Sequence, residues 1–165
     1  MLLLIAFAFI SIFFSFLCSI LEAVLLSITP SFIRIKTKEG KKYAETLANF
    51  KKDIDKPLIA ILTLNTIAHT VGAILVGDQA GKMAAESGYD VNILGINFVG
   101  LVSTVMTLAI LVLSEIIPKT IGATYWKSLG NFTAKALKII LVLLKYTGIL
   151  WLLMQVTKLV GKSAH

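Results

Sequence analysis

Long apolar stretches alternate with short polar ones along the chain, and this alternation predicts three membrane-spanning helices. Residues 2–29 contain one charged side chain, Glu22, residues 57–77 contain no Asp, Glu, Lys or Arg, and residues 93–117 contain only Glu115. A helix of about 20 such residues crosses a hydrocarbon core of roughly 30 Å. We therefore expect an all-α integral membrane domain with these three segments as its spans.

Two charged segments predict amphipathic helices that form a belt along the membrane surface. The first, residues 31–55, overlaps the stretch from Arg34 to Lys56, which holds eight Lys or Arg residues among apolar side chains at helical spacing. That pattern is typical of a basic helix lying on a membrane. Residues 139–157, within the second segment 125–160, are apolar enough for a fourth span, but Lys127, Lys135, Lys138 and Lys145 recur near helical spacing. We favour a shallow juxtamembrane helix there.

Composition places the chain in lipid. Of its 165 residues 57% are hydrophobic and 15% are charged, against about 25% charged in soluble domains. The net charge of +7 would suit nucleic acid, but the basic residues flank the apolar stretches, so we expect the bilayer and no nucleic acid as partner. No Lys or Arg precedes Arg34, which favours a true first span over a cleaved secretory signal.

The distribution of Lys and Arg predicts the orientation of the spans. The first connection carries eight of them, the second carries only Lys82, and the segment from Lys119 onward carries seven. Cytoplasmic connections are enriched in these residues. We expect the N-terminus outside the cell and the C-terminus in the cytoplasm, which requires an odd number of spans.

Polar side chains on the spans are the candidates for function, because ionisable groups inside a bilayer are costly. On the first span Ser11, Ser15, Ser19 and Glu22 share one helix face. For Ser11 and Ser15 we favour a structural role, in which the hydroxyls bond back to their own helix and pack against a neighbour. Glu22 differs, because a carboxylate at that depth needs a cation, a proton or a polar partner.

The second span carries Asn65 and His69 on one face. Asn65 offers a carbonyl acceptor and two donors, and it would also serve to bridge helices. His69 is either a proton relay or a packed neutral imidazole. A lone histidine is more often the latter, so we assign it no metal role.

The third span ends in Ser114-Glu-Ile-Ile-Pro-Lys-Thr120. Pro118 has no amide hydrogen, so the Ser114 carbonyl loses its helical partner. A helix break here would set that carbonyl beside the Glu115 carboxylate, as at ion sites in broken membrane helices. Alternatively the helix ends at the interface, with Pro118 and Lys119 as a stop signal. The residues alone favour neither interpretation.

Depth in the membrane connects these candidates. At 1.5 Å per residue, Ser19, Glu22, Asn65 and Glu115 all fall in the cytoplasmic half of the bilayer. Their ligand atoms are hydroxyl, amide and carboxylate oxygens, which suit hard cations such as Mg²⁺, with Ca²⁺ and Na⁺ as alternatives. The chain has one cysteine and no paired histidines, which argues against zinc or copper.

These residues resemble the transmembrane domain of the CorC / cyclin M (CNNM) family of magnesium transporters. The matching motifs are Ser19 to Ala23 (Ser-Ile-Leu-Glu-Ala), Leu64-Asn65, and Glu115 to Thr120 (Glu-Ile-Ile-Pro-Lys-Thr). The resemblance covers essentially the whole chain, residues 1–165, as a single transmembrane domain. One departure is Ile20, where the family usually has glycine. It implies a tighter backbone approach or an altered site.

The resemblance implies a homodimeric multi-pass transporter of the plasma membrane, not an enzyme, that exports Mg²⁺ with coupling to Na⁺. It also implies cytosolic CBS-type domains in the full-length protein. The positions it assigns to the metal site are Ser19, Asn65, Ser114 and Glu115, with Glu22 as a second-tier ligand or coupling residue and Ser15, Pro118 and Lys119 as structural support.

Two rival functions remain. In the first, the domain is a non-transporting membrane anchor or sensor for a cytosolic regulatory module, and its polar residues only hold helices together. In the second it is an intramembrane enzyme. The sequence offers no Ser-Lys pair, no Ser-His pair at a convincing depth, no paired intramembrane aspartates and no zinc-binding His-Glu motif, so we disfavour an enzyme.

Overall fold

The computed structural model describes residues 2–87, 98–148, 151–152 and 154–155, and every regular element within them is helical. The elements are α1 (Leu2–Ser27), α2 (Pro30–Lys38), α3 (Lys42–Lys52), α4 (Asp55–Ser87), α5 (Phe98–Ala109), a π-helical segment (Ile110–Ile116) and α6 (Ile117–Tyr146). Three stretches are long and apolar enough to cross a membrane, Leu2–Ser27, Asp55–Met83 and Val99–Tyr146. The expected all-α integral membrane fold is confirmed.

The end of α1 is encoded by a capping sequence. Thr29 caps α2, because its side-chain oxygen accepts a hydrogen bond from the Phe32 amide at 3.3 Å. Pro30 follows at the first helical position, where its fixed φ and missing amide hydrogen cause no loss. The predicted belt segment 31–55 forms two helices, α2 and α3, separated by Gly40, whose φ of +70° suits glycine.

Helix α4 extends past the end predicted for the second span. The sequence places the second connection, a polar loop, after residue 77. That prediction is wrong for residues 77–87, which continue the helix to Ser87. Lys82 and Asp78, four residues apart, form an ion pair at 2.7 Å on the helix surface, an arrangement that stabilises a helical turn. Polarity alone therefore does not end this helix.

The third span continues through Pro118, so the interpretation in which the helix ends there is wrong, and the interruption of the hydrogen-bond pattern takes the form of a π-helical segment. Within the π-helical segment the hydrogen bonds span five residues, and the Ile117 amide donates to the Val112 carbonyl. The wider turn lets the helix accommodate a proline that α-helical spacing would reject. The helix kinks at Tyr125, which has φ −103° and ψ 21°. Residues 93–97 of the predicted span, and the end of the predicted belt helix at 156–160, lie outside the described residues.

The described residues group into two compact units. The first comprises Met1–Ser19 and Leu64–Pro118, and the second comprises Ile20–Thr63 and Lys119–His165. The first unit buries polar side chains where α1 meets α4. There Gly72 lies so close to Ser11 that an added Cβ would overlap that side chain.

The second unit is held by an apolar cluster. Its buried members are Val24, Ile28, Phe32, Ile33, Leu47 and Ala134. The Phe32 ring packs edge-on against Trp126, with centroids 5.1 Å apart. A Cβ on Gly122 of α6 would lie 2.9 Å from the Ile20 carbonyl oxygen and 2.8 Å from the Ala23 Cβ. The close approach at Ile20 is therefore provided by the glycine on the facing helix.

Candidate functional site

A chain of polar contacts in the first unit connects α1, α4 and the π-helical segment. The fully buried Ser15 hydroxyl lies 2.7 Å from the Asn65 side-chain carbonyl oxygen and also contacts the His69 Nε2. His69 Nδ1 in turn lies 4.0 Å from a carboxylate oxygen of Glu115. The contacts run in the order Asn65, Ser15, His69, Glu115.

Proton counting assigns the donors in this chain. A serine hydroxyl has one hydrogen, and if Ser15 donates it to the Asn65 oxygen, then His69 Nε2 must donate to Ser15. His69 Nδ1 then faces Glu115 at 4.0 Å, and a hydrogen on this nitrogen would make the ring a cation that pairs with the carboxylate. The Asn65 oxygen is thus held in place by one hydrogen bond and keeps its second lone pair for a ligand.

Ser11 and Ser15 bond across to α4, so the prediction that these hydroxyls bond back to their own helix is wrong. Ser11 donates to the Ala68 carbonyl at 2.7 Å, and Ser15 bonds to Asn65 one turn later. Glycine at position 72 permits this reach, because it removes the side chain that would separate the helices near Ser11. The prediction that both serines pack closely against a neighbouring helix agrees with their burial.

Two further site candidates are fully buried, Ser19 and Ser114. The Ser19 hydroxyl has no hydrogen-bond partner among the described residues. A buried polar atom without a partner is costly, and it calls for a specific explanation such as a ligand. Ser114 donates to the Ile110 carbonyl at 2.6 Å within its own segment. The lone pairs of its hydroxyl oxygen remain available to accept a hydrogen bond or to bind a cation. No hydrogen bond among the described residues joins either serine to the Asn65–Glu115 chain.

Glu115 is the acid of the first unit's polar chain. Its side chain is 34% exposed and faces the His69 ring, with a carboxylate oxygen 4.0 Å from Nδ1. It lies with Ser114 in the π-helical segment, a feature that occurs frequently at functional sites. Pro118 has no amide to donate to the Ser114 carbonyl. The sequence motif therefore yields a widened helical turn that carries the acid.

Glu22 lies in the second unit, where one of its carboxylate oxygens is 3.3 Å from Lys119 Nζ. The same oxygen is buried and receives no hydrogen bond, so the contact is a charge pair without hydrogen-bond alignment. Lys119, predicted as structural support, therefore provides the cation that Glu22 requires at this depth.

The candidate ligand atoms are all oxygens of serine, asparagine and glutamate side chains. Within the described ranges, no three His, Cys, Asp or Glu side chains come together in a way that could hold a metal ion. Serine, asparagine and glutamate oxygens fit a hard cation better than a transition metal. From the sequence we placed His69 on one face with Asn65 and gave it no metal role, but we expected no Ser-His pair at this depth. The contact between the Ser15 hydroxyl and His69 Nε2 corrects that expectation, and His69 lies between Ser15 and Glu115.

Comparison with known proteins gives one family and one relative. Residues 5–165 match the family model described as the cyclin M transmembrane N-terminal domain. The UPF0053 protein sll1254 of Synechocystis is 29% identical over 157 residues, which cover 95% of this chain and 42% of that protein. The chain therefore spans less than half the length of this relative.

Proposed function

Because the chain belongs to the cyclin M transmembrane family, we propose that it exports Mg²⁺ across the plasma membrane with Na⁺ as the coupling ion. This family is associated with Mg²⁺ transport. In this proposal two copies of the chain form the transporter, the N-terminus lies outside the cell, and the C-terminus continues in the cytoplasm toward CBS-type domains.

The buried oxygen atoms of the first unit carry the proposal. Ser19 has a hydroxyl without a hydrogen-bond partner among the described residues, and Asn65 has an oxygen that Ser15 holds in position. Glu115 adds the negative charge. Helices bound together only by polar contacts need neither a buried hydroxyl of this kind nor a carboxylate that faces a histidine ring at 4.0 Å. A dehydrated cation would use all three groups.

The transport mechanism follows from the chemistry of Mg²⁺, which gives up its water reluctantly. Oxygens of Ser19, Asn65, Ser114 and Glu115 replace part of the hydration shell, and the Glu115 carboxylate offsets the charge. The ion enters from the cytoplasm and leaves outward when the helices rearrange around the site. Without the carboxylate, neutral oxygens alone would not compensate for the lost water.

Glu22 takes a different role in this proposal. Its charge is already balanced by Lys119 at 3.3 Å, so we assign it to coupling rather than to Mg²⁺ binding. Na⁺ would compete with the Lys119 ammonium for this carboxylate, and the occupancy of the pair would depend on the sodium gradient.

Calorimetry with the purified chain tests the site directly. We expect saturable Mg²⁺ binding by the wild type and its loss in Glu115→Gln, which keeps the size of the side chain and removes the charge. Glu86→Gln is the matched control, since Glu86 lies exposed near the end of α4. Thermal unfolding of each variant confirms that the fold is retained.

Proteoliposomes loaded with a magnesium-sensitive dye extend the test to transport. The flux should fall in Glu115→Gln and Asn65→Ala and depend on an imposed sodium gradient. Normal Mg²⁺ flux in Glu115→Gln would refute the site. A folded wild-type chain that binds no Mg²⁺ would instead support the anchor or sensor function.

A further inference from the structure

A cleft in the second unit combines lysines with large apolar side chains. It has a volume of about 480 Å³ and lies among α3, the start of α4, α6, Trp151 and Met154. The lining side chains that matter here are Lys56, Lys138, Lys145, Phe50, Leu141 and Trp151. A neighbouring cleft of about 580 Å³ shares Thr46 and Lys138 with it.

The charge around these clefts is uncompensated. Six lysines line the two clefts, and neither lining includes an aspartate or glutamate; the lysines are Lys41, Lys42, Lys56, Lys135, Lys138 and Lys145. No ion pair among the described residues involves any of the six, whereas Lys36 of the same unit is paired with Glu39 at 2.8 Å. An anion entering either cleft would therefore meet cations that form no ion pair with a described carboxylate.

The other wall of the larger cleft is apolar. Leu141 and Val142 line it, and so does Trp151, which is 66% exposed. Nearby on α6, Ile139 and Leu143 are also more than half exposed. Tryptophan beside lysine is typical of the boundary between hydrocarbon and headgroups. A soluble anion would leave this wall bare, whereas a ligand with an anionic head and hydrocarbon tails would cover it.

We propose that this cleft binds an anionic phospholipid from the surrounding bilayer. Its phosphate contacts Lys56, Lys138 and Lys145, and its acyl chains lie along Leu141 and Trp151. Basic pockets beside membrane helices bind anionic headgroups in this way. Lys56 stands in the first turn of α4, which is a spanning helix, so the headgroup level of the bilayer is within reach. The proposal does not depend on Mg²⁺ transport.

Quenching of tryptophan fluorescence by brominated lipids tests the proposal. The chain has two tryptophans, and Trp126→Phe leaves Trp151 in the cleft as the reporter. The chain is reconstituted into phosphatidylcholine vesicles that contain either dibrominated phosphatidylglycerol or dibrominated phosphatidylcholine at equal mole fraction. We expect roughly a tenfold preference for phosphatidylglycerol, as a few lysines near a bilayer would give. If Trp126→Phe does not fold, wild type with Trp151→Phe as the blank gives the same measurement.

Charge-matched triple variants separate the cleft from general surface attraction. Changing the cleft cations Lys56, Lys138 and Lys145 to Gln should abolish the preference. Changing three exposed cations that line neither cleft should leave it within about twofold at constant ionic strength; these are Arg34, Lys38 and Lys127.

Three outcomes would overturn the proposal. The first is an equal response of both triple variants, which would indicate a diffuse surface effect. The second is the absence of any preference in the wild type. The third is loss of the quenching difference in millimolar inorganic phosphate at constant ionic strength, which would make the ligand a soluble anion.

Discussion

Two serines one turn apart on α1 allow a sharp test of the polar chain. Ser11 donates to the Ala68 backbone carbonyl at 2.7 Å, and Ser15 bonds to the Asn65 side chain at the same distance. Both are buried, with exposed fractions of 4% and 0%. Replacing either by alanine removes one hydroxyl that bonds α1 to α4, and the Ser15 change also removes the contact with His69. Only the Ser15 change releases a proposed Mg²⁺ ligand.

The stability effects of the two changes should be similar. Hydrogen bonds between membrane helices contribute about 0.6 kcal/mol on average and at most about 1.7 kcal/mol. For a chain of this size each kcal/mol moves the unfolding midpoint by roughly 2–4 °C. Ser11→Ala and Ser15→Ala should each lower the midpoint by about 1–7 °C, measured by thermal unfolding in detergent without Mg²⁺.

The Mg²⁺ affinities should differ. Without the Ser15 hydroxyl the Asn65 oxygen loses the donor that orients it, and His69 Nε2 loses its partner. Loss of a group that positions a metal ligand typically weakens binding about 10–100-fold. Calorimetry should therefore show that loss in Ser15→Ala and an unchanged dissociation constant in Ser11→Ala. Equal affinities in the two variants would refute the positioning role of Ser15.

Three further predictions follow from single contacts. In thermal unfolding, the Gly122→Ala variant should be less stable than the Gly77→Ala variant by about 2–3 kcal/mol. The new methyl at position 122 would lie 2.9 Å from the Ile20 carbonyl oxygen, whereas position 77 has open space; equal unfolding midpoints would contradict this. Pro118→Ala should restore a backbone bond to Ser114, shorten the π-helical segment and weaken Mg²⁺ binding at least tenfold in calorimetry; unchanged affinity would show that the widened turn does not position the site. Burial beside the Leu26 carbonyl lowers the pKa of Lys51, while the hydrogen bond to Glu39 raises the pKa of Lys36, so NMR of methylated lysines should show Lys51 titrating first as pH rises. Because the Lys51 pKa is lowered on folding, its contribution to stability increases as pH rises through that pKa toward 10.5; titration of Lys36 before Lys51 would contradict this assignment.

Much of the fold could be predicted because lipid imposes a simple constraint. Backbone groups in hydrocarbon must bond within the segment, so a long apolar stretch is a helix. The stretch from residue 2 to residue 29 therefore indicated α1 closely. The end of α4 could not be predicted in the same way. Residues 77–87 have the polar composition of a loop, but the four-residue spacing of Asp78 and Lys82 is also that of an ion pair on a helix. Composition alone does not distinguish a loop from a helix here.

The candidate site was predictable as a set of oxygen-bearing residues but not as a set of contacts. Helical spacing placed Ser15 and Ser19 on one face, yet whether a hydroxyl bonds to its own helix or to the next depends on the distance between helices. That distance is fixed by residues elsewhere, such as Gly72 opposite Ser11. Likewise the proline motif indicated an interrupted hydrogen-bond pattern, but a break and a π-helical turn both fulfil it. The choice depends on neighbours that the motif does not contain.

Ile20 shows how a departure from a family pattern is resolved in three dimensions. Where the family usually has glycine, a larger residue would be expected to push the facing helix away or to alter the site. The facing residue here is Gly122, whose lack of a side chain leaves room for the Ile20 carbonyl. A Cβ at position 122 would lie only 2.9 Å from the Ile20 carbonyl oxygen. One glycine at this crossing is enough for close backbone contact, because the space needed is that of a single methyl group. If this account is correct, Gly122→Ala should be partly rescued by Ala23→Gly, which removes the methyl 2.8 Å away, and Ile20→Gly should not rescue it, because the backbone oxygen remains.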